Sequence, residues 1–268
     1  MEISQIIGYI LAVFVGMTLG MLGSGGSILS VPILVYVMSI EPTLATAYSL
    51  FVIGTTSFVG GLHKAKQKLV DFNKVLLFGI PAVISVFFTR KILVPRIPEV
   101  IFWTENFTLS KSVLIMVVFA FVMIFASVRM IKPLKERIIT DGEKLNYYKI
   151  ALFGIFIGLL SGFVGAGGGF LIVPTLLFFA KTPMKMAVGT SLFIVSLQSL
   201  IGFMGDIMGD QIIDWKLLFF FTLASIVGIF IGNFISKKVA DDKLKTSFGW
   251  FVLAMGIYII IRELFWSQ

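Results

Sequence analysis

Two stretches 142 residues apart interrupt the chain in the same way. GMLGSGGSILSVPIL runs from Gly20 to Leu34, and GFVGAGGGFLIVPTL runs from Gly162 to Leu176. Gly20, Gly23, Gly25, Gly26, Leu29, Val31, Pro32 and Leu34 recur in register as Gly162, Gly165, Gly167, Gly168, Leu171, Val173, Pro174 and Leu176. The register persists downstream, where ATAYSLF (Ala45 to Phe51) aligns with AVGTSLF (Ala187 to Phe193) and Gly60 with Gly202. A tandem duplication of about 140 residues organises the chain. Each glycine in a helix interior costs about 1 kcal/mol against alanine. A fold for this chain must therefore have a use for the same broken element twice.

The surroundings of the breaks say what kind of fold that is. Hydrophobic residues make up 58% of the 268 and charged residues only 13%, against about 25% charged in soluble domains. Apolar segments run at 5–22, 27–40, 43–62, 72–92 and 109–131, then at 149–164, 169–180, 185–205, 215–236 and 245–266. Several approach the roughly 20 residues that cross a bilayer core. The pattern predicts an all-α polytopic membrane protein of two transmembrane repeats, 1–131 and 149–268, joined by a connector at 132–148. The opening MEISQIIGYILAVFVGM lacks the basic start of a secretory signal and reads as a retained membrane segment. The net charge of +8 sits in short loops between apolar runs, which points to lipid and away from nucleic acid. With no cysteine, disulfides, thiolate metal sites and cysteine catalysis are excluded.

Loop charge sets the expected orientation. HKAKQKLVDFNK (63–74) carries four lysines and one acid. The 129–149 stretch carries Arg129, Lys132, Lys135, Arg137, Lys144 and Lys149, and the 237–245 loop carries Lys237, Lys238, Lys243 and Lys245. All three read as cytoplasmic, whereas DIMGDQIID (206–214), with three aspartates and no base, reads as external. The mixed 90–111 loop is external by alternation. Segments 149–164 and 169–180 are each about 20 Å long, short of the roughly 30 Å core. They form either two short spans or a re-entrant hairpin; one long helix through the glycines breaks the parity. Five segments per half is odd, so the second half begins on the opposite side from the first. The expected plan is an inverted-topology repeat in a cell (plasma or inner) membrane, with both termini outside, as in many secondary transporters.

Non-helical backbone survives in hydrocarbon only when buried in protein or lining a polar cavity. A break also frees helix N-terminal amides and the positive end of a dipole, a ready site for an anion. On this reasoning Gly23, Ser24, Gly25, Gly26 and Ser27 face Gly165, Ala166, Gly167, Gly168 and Gly169 near the membrane middle and hold a small oxyanion through main-chain donors. Ser49, Ser191 and Gln198, on the helices that follow the breaks, are the neutral side chains expected to add to them. Small residues also simply let helices pack closely, and hydroxyls often bond their own helix. No acidic residue is placed deep in a span, Arg90 and Lys91 are read as a span end that reaches to the interface, and His63 as a boundary residue. No motif of a hydrolase, metalloprotease or phosphate loop is present. The chain is expected to be no enzyme, with no cofactor and no metal. A proton or sodium as coupling ion stays open.

At the paired Gly-x-x-Gly-x-Gly-Gly-x-x-x-x-x-Pro motifs, with Ala-x-x-x-Ser-Leu-Phe after each, the chain resembles the TauE/SafE sulfite exporter family over essentially its whole length. The resemblance implies a membrane transporter of small sulfur-containing anions such as sulfite and organosulfonates. It maps the family's motif onto Gly23 to Ser27 and Gly165 to Gly169. Ser27 stands where the second copy has Gly169, so the two walls need not be equivalent. A passive anion channel, or a membrane scaffold without cargo, are the competing readings.

Overall fold

The computed structural model describes residues 3–104, 107–131, 147–178, 180, 182–209, 212–236 and 241–265. Most of the 132–148 connector, with Lys132, Lys135, Arg137 and Lys144, lies outside the described residues, as do Lys181, Asp210, Lys237 and Lys238. The described residues are almost wholly helical, and the chain is an all-α polytopic membrane protein. The first half consists of α1 (Ile3–Leu22), α2 (23–37), α3 (Pro42–Lys66), α4 (Phe72–Arg96) and α5 (Lys111–Ile131). The second consists of α6 (Tyr147–Val164), α7 (Gly169–Phe178), α8 (Met184–Ile207), α9 (Trp215–Ile235) and α10 (Asp241–Phe265). Among the described residues seven helical runs are long and apolar enough to cross a membrane. The helices present apolar side chains outward, such as Ile84 at 65% and Phe121 at 61% exposed. Serine, threonine and glutamine gather in the interior. That inside-out distribution suits lipid as the outer solvent.

The run from Ile3 to Val37 is continuous in helical backbone, 35 residues in all, yet it is no single rod. As a straight helix it would hold Gly8 and Met38 about 45 Å apart. A β-carbon on Gly8 would instead lie 2.6 Å from Met38 Sδ, and one on Gly26 would lie 2.3 Å from the Thr18 carbonyl carbon. The chain reverses at Gly23, where φ is +68°, and α2 retraces α1. α1 and α2 therefore form a hairpin turned at Gly23. The same fold-back opens the second half, with Gly168 against Ile157 and Ser161. α2 is irregular throughout: a 3-10 turn at Gly23–Leu29, one α turn, and a π turn at Ile33–Val37 after Pro32.

Packing pairs each half with the other. α1 lies along α9, α6 along α4, α3 along α8 and α5 along α10, while α2 meets α7. Replacing every element by its counterpart turns the α1–α9 pair into the α6–α4 pair and returns the other three. The two exchanged pairs run parallel and touch backbone to backbone. A β-carbon on Gly232 would sit 2.1 Å from Met17 O, and one on Gly158 would sit 2.4 Å from Ala82 O. These are small-residue seams of the kind that draw membrane helices together. Counterpart helices, in contrast, run antiparallel. On α3 and α8, Gly54 meets Leu200 and Gly61 meets Phe193; on α5 and α10, Gly256 meets Ile124 and Gly249 meets Ile131.

One stretch departs from the sequence reading. The 90–111 loop contains an antiparallel ribbon of β1 (Val100–Thr104) and β2 (Phe107–Ser110). VIFWT and FTLS are β-branched and aromatic runs flanking Glu105-Asn106, a composition that favours a hairpin.

Candidate functional site

The two glycine breaks lie against each other. Ser24 Oγ donates to Gly169 O at 2.9 Å and Ser27 Oγ donates to Ala166 O at 2.5 Å, so the first break reaches across into the second. This contact explains why the motif copies differ. A β-carbon on Gly169 would lie 2.1 Å from Ser24 O, so the position matching Ser27 has no room for a side chain. The approach of the two breaks and the absence of a side chain at Gly169 are one feature.

Gln198 on α8 adds a third clamp. Its Nε2 donates to Gly167 O and, at 3.4 Å, to Ser161 Oγ. The carbonyls of Ala166, Gly167 and Gly169 are thus all engaged by side chains from other elements. The amides are treated differently. Gly165 N donates to Ser161 O at 2.8 Å and Leu171 N donates to Gly168 O at 3.0 Å, but the N–H groups of Ala166, Gly167 and Gly168 find no partner among the described residues. With its acceptors covered and its donors open at the N-terminus of the 10-residue α7, the turn presents net positive potential.

The side chains singled out from the sequence divide. Ser49 is fully buried and its hydroxyl shares a hydrogen bond with Ser30 Oγ. Ser191 Oγ donates to Val188 O at 2.8 Å on its own helix, and Val188 in turn abuts Gly23. Gln198 is at the site, yet its amide N–H groups are engaged there, and the free atom is Oε1, an acceptor. Ser24 and Ser27 also donate to protein carbonyls. Gly23 abuts Val188, Gly26 packs on Thr18 and Leu19, and Gly25 is different: a β-carbon there would meet only Phe170 Cα at 3.9 Å and Leu22 Cβ at 4.0 Å. The open side of the site is at Gly25.

Sequence reasoning did not single out Ser30 or Ser161; Ser161 stands one turn before Gly165, and that spacing is the signal that would have found it. Buried hydroxyls of Thr56, Ser57, Ser196 and Ser199 have no partner among the described residues, and Ser199 Oγ is 3.0 Å from where a Gly167 β-carbon would stand. The charges require a correction. Arg90 does not reach to the interface but is 1% exposed, and Asp206 is 7% exposed rather than part of an external loop. α8 continues to Ile207 and turns Asp206 inward, where its Oδ1 lies 3.4 Å from Arg90 Nη1.

A family model for the sulfite exporter TauE/SafE matches residues 9–259. A probable membrane transporter protein of Xylella fastidiosa (strain 9a5c) is 28% identical over 257 residues, 93% of this chain and 92% of the relative. The probable membrane transporter protein YunE of Bacillus subtilis (strain 168) is 27% identical over 278 residues, 96% and 95% of the two chains. A probable membrane transporter protein of Methanocaldococcus jannaschii is 33% identical over 116 residues, 41% and 43% of the two chains. No solved structure matches. The family match runs through both glycine breaks and every helix that packs around them, and the chain is a multi-pass membrane transporter belonging to the TauE/SafE sulfite exporter family.

Proposed function

We propose that the chain is a secondary transporter exporting a small oxyanion, sulfite or an organosulfonate, by alternating access around the paired breaks. The observation that carries this reading is the treatment of the second break: three carbonyls covered by Ser24, Ser27 and Gln198, three amides left open. Main-chain amides that lack a partner in a water-poor interior favour a ligand that accepts hydrogen bonds and carries negative charge. Gly25, opposite, leaves the room such a ligand needs. The polarity of transport is taken from the family's name.

The halves act as inverted repeats, with both termini outside. Antiparallel counterpart helices and the loop charges support this. The moving bodies are then not the halves themselves. The backbone seams bind α9 to the first hairpin and α4 to the second, so each rocking unit holds one hairpin and one helix of the other half. Between them the α3–α8 pair carries Ser49, Ser191 and Gln198 on the axis of exchange.

Flux into proteoliposomes tests the proposal, using sulfite, sulfoacetate, methanesulfonate, taurine, sulfate and acetate. Saturable, protein-dependent flux with counterflow is expected for at least one sulfur oxyanion, with Gly25→Leu and Gly167→Leu inserted in the membrane but inactive. Equal leak with and without protein sinks the proposal, unsaturable conductance makes the protein a pore, and full activity in both variants moves the site elsewhere.

A further inference from the structure

The breaks leave unexplained the one buried ion pair among the described residues, Arg90 with Asp206. Both groups belong to candidate spans, where an ionisable side chain is costly and generally functional. Their contact is a single one, Nη1 to Oδ1 at 3.4 Å, whereas an arginine and a carboxylate commonly make two of about 2.7–2.9 Å. Arg90 Nε and Nη2 and Asp206 Oδ2 are buried with no partner among the described residues. A buried pair that stabilises a fold needs its remaining protons and lone pairs satisfied, because desolvation otherwise exceeds the attraction. This pair is poorly made as a strut. It is well made as a guanidinium with two spare donors and a carboxylate that holds it weakly.

Its position suits the site. Arg90 stands on a π turn, Thr89–Leu93, an irregularity that recurs at functional positions. α4 and α6 run parallel, with Gly162 packed on Val86 and Thr89, so Arg90 is level with the end of α6 where the second break begins. A β-carbon on Gly205 of α8 would lie 3.0 Å from Arg90 Cβ. The other charged or titratable groups on α3, α4, α6 and α8 lie mostly at the far ends of these helices, as Lys66, Lys74, Lys149 and Lys185 do. Lys91, on the same turn, lies over the Phe87 ring at 5.4 Å. Tyr48 on α3 accepts from the Asp214 amide at 2.5 Å, and Asp214 caps α9. The stretch of α6 beside the pair, Ser161 to Val164, has no titratable group, and Asp210 lies outside the described residues.

We propose that Arg90 is the counter-charge for the transported anion and that Asp206 carries the coupling proton; this rests on the transport reading above. A proton from water on the open side adds to the Asp206 carboxylate, the neutral acid no longer holds Arg90, and a monoanion takes its place on the guanidinium. On the other side the anion leaves, the proton returns to water, and the carboxylate pairs with Arg90 again. One proton and one monoanion move together without net charge, so outward transport is driven by the anion's own gradient and is opposed by an inward proton gradient. The buried site is neutral both empty (Arg⁺, Asp⁻) and loaded (Arg⁺, AspH, anion⁻), so neither state buries an uncompensated charge.

The test uses the purified full chain and methanesulfonate, a monoanion at every working pH, unlike sulfite. Binding in weakly buffered solution should take up about one proton per anion, and affinity should fall about tenfold per pH unit once Asp206 is ionised. Asp206→Asn should bind without proton uptake and without pH dependence. Arg90→Gln/Asp206→Asn, neutral at both positions and checked for a single size-exclusion peak, should not bind. Wild-type binding without proton uptake overturns the inference, as does binding by the double variant or no wild-type binding at any pH. Flux distinguishes the two readings: proton-linked binding with no flux in liposomes overturns the transport reading and leaves this site standing, while proton-independent flux that survives Arg90→Gln does the reverse.

Discussion

Single residues at the breaks differ more than their letters suggest. Gly165 has φ +75° and would place a β-carbon 2.4 Å from Thr46 Cβ. Alanine there meets both the left-handed backbone cost, about 1–2 kcal/mol, and overpacking of about 1–3 kcal/mol. Gly25 has neither problem, since its nearest neighbours would be at 3.9 and 4.0 Å. Gly25→Ala should therefore melt at or slightly above the wild-type temperature in detergent, with alanine's better helix propensity adding up to about 1 kcal/mol. Gly165→Ala should melt markedly lower. If the open space at Gly25 is where substrate rests, Gly25→Ala should still reduce flux although it folds well. Wild-type flux from Gly25→Ala and Gly25→Leu together would show that the space is not used. The sequence marked both glycines as members of one motif. Which of them faces a protein wall and which faces free room depends on the opposing break, and that lies in the other half of the chain.

At the scale of elements, the entry to α3 shows how a loop carboxylate is put to structural use. Glu41 caps α3 by accepting from Leu44 N at 2.9 Å, and its other oxygen accepts from Ser112 Oγ on α5 at 2.5 Å. Burial raises the Glu41 carboxyl, but the Ser112 hydroxyl and the amides of Thr43 and Leu44 outweigh it, and the group is held below the ordinary glutamate range. A depressed carboxyl contributes stability above its unfolded value, and loses it as pH falls through its folded value. Glu41→Ala should thus lower stability at neutral pH by about 1 kcal/mol, the usual worth of a cap. The gap from wild type should close below about pH 4. Paired thermal melts from neutral to acid pH read this directly; a gap that stays constant would mean Glu41 acts through packing alone. The element order itself was legible, because apolar runs and glycine spacing are local signals. The ribbon at 100–110 and the inward face of Asp206 were not. The first depends on a hairpin inside a loop of mixed charge, and the second on α8 running two residues past its apolar stretch to meet a helix 116 residues away in sequence.

For the molecule as a whole, the direction of each half decides whether rocking can expose one site to two sides. Parallel repeats would leave both breaks opening the same way, and only inversion lets one arrangement turn into its mirror across the bilayer. The antiparallel course of α3 against α8 fixes relative direction within the protein, and the remaining step is to place that direction in a membrane. The chain has no cysteine, so single introduced thiols report without background. Lys66, at the end of α3, and Met208, after α8 and 65% exposed, are counterparts at the 142-residue offset. An impermeant maleimide should label Met208→Cys on intact cells, and Lys66→Cys only after permeabilisation. Labelling of both from one side would make the repeats parallel, and with them the exchange of rocking units would lose its basis. The opposite outcome, Lys66 outside and Met208 inside, would keep the inversion but reverse the termini, and would show that loop charge misassigned the sides.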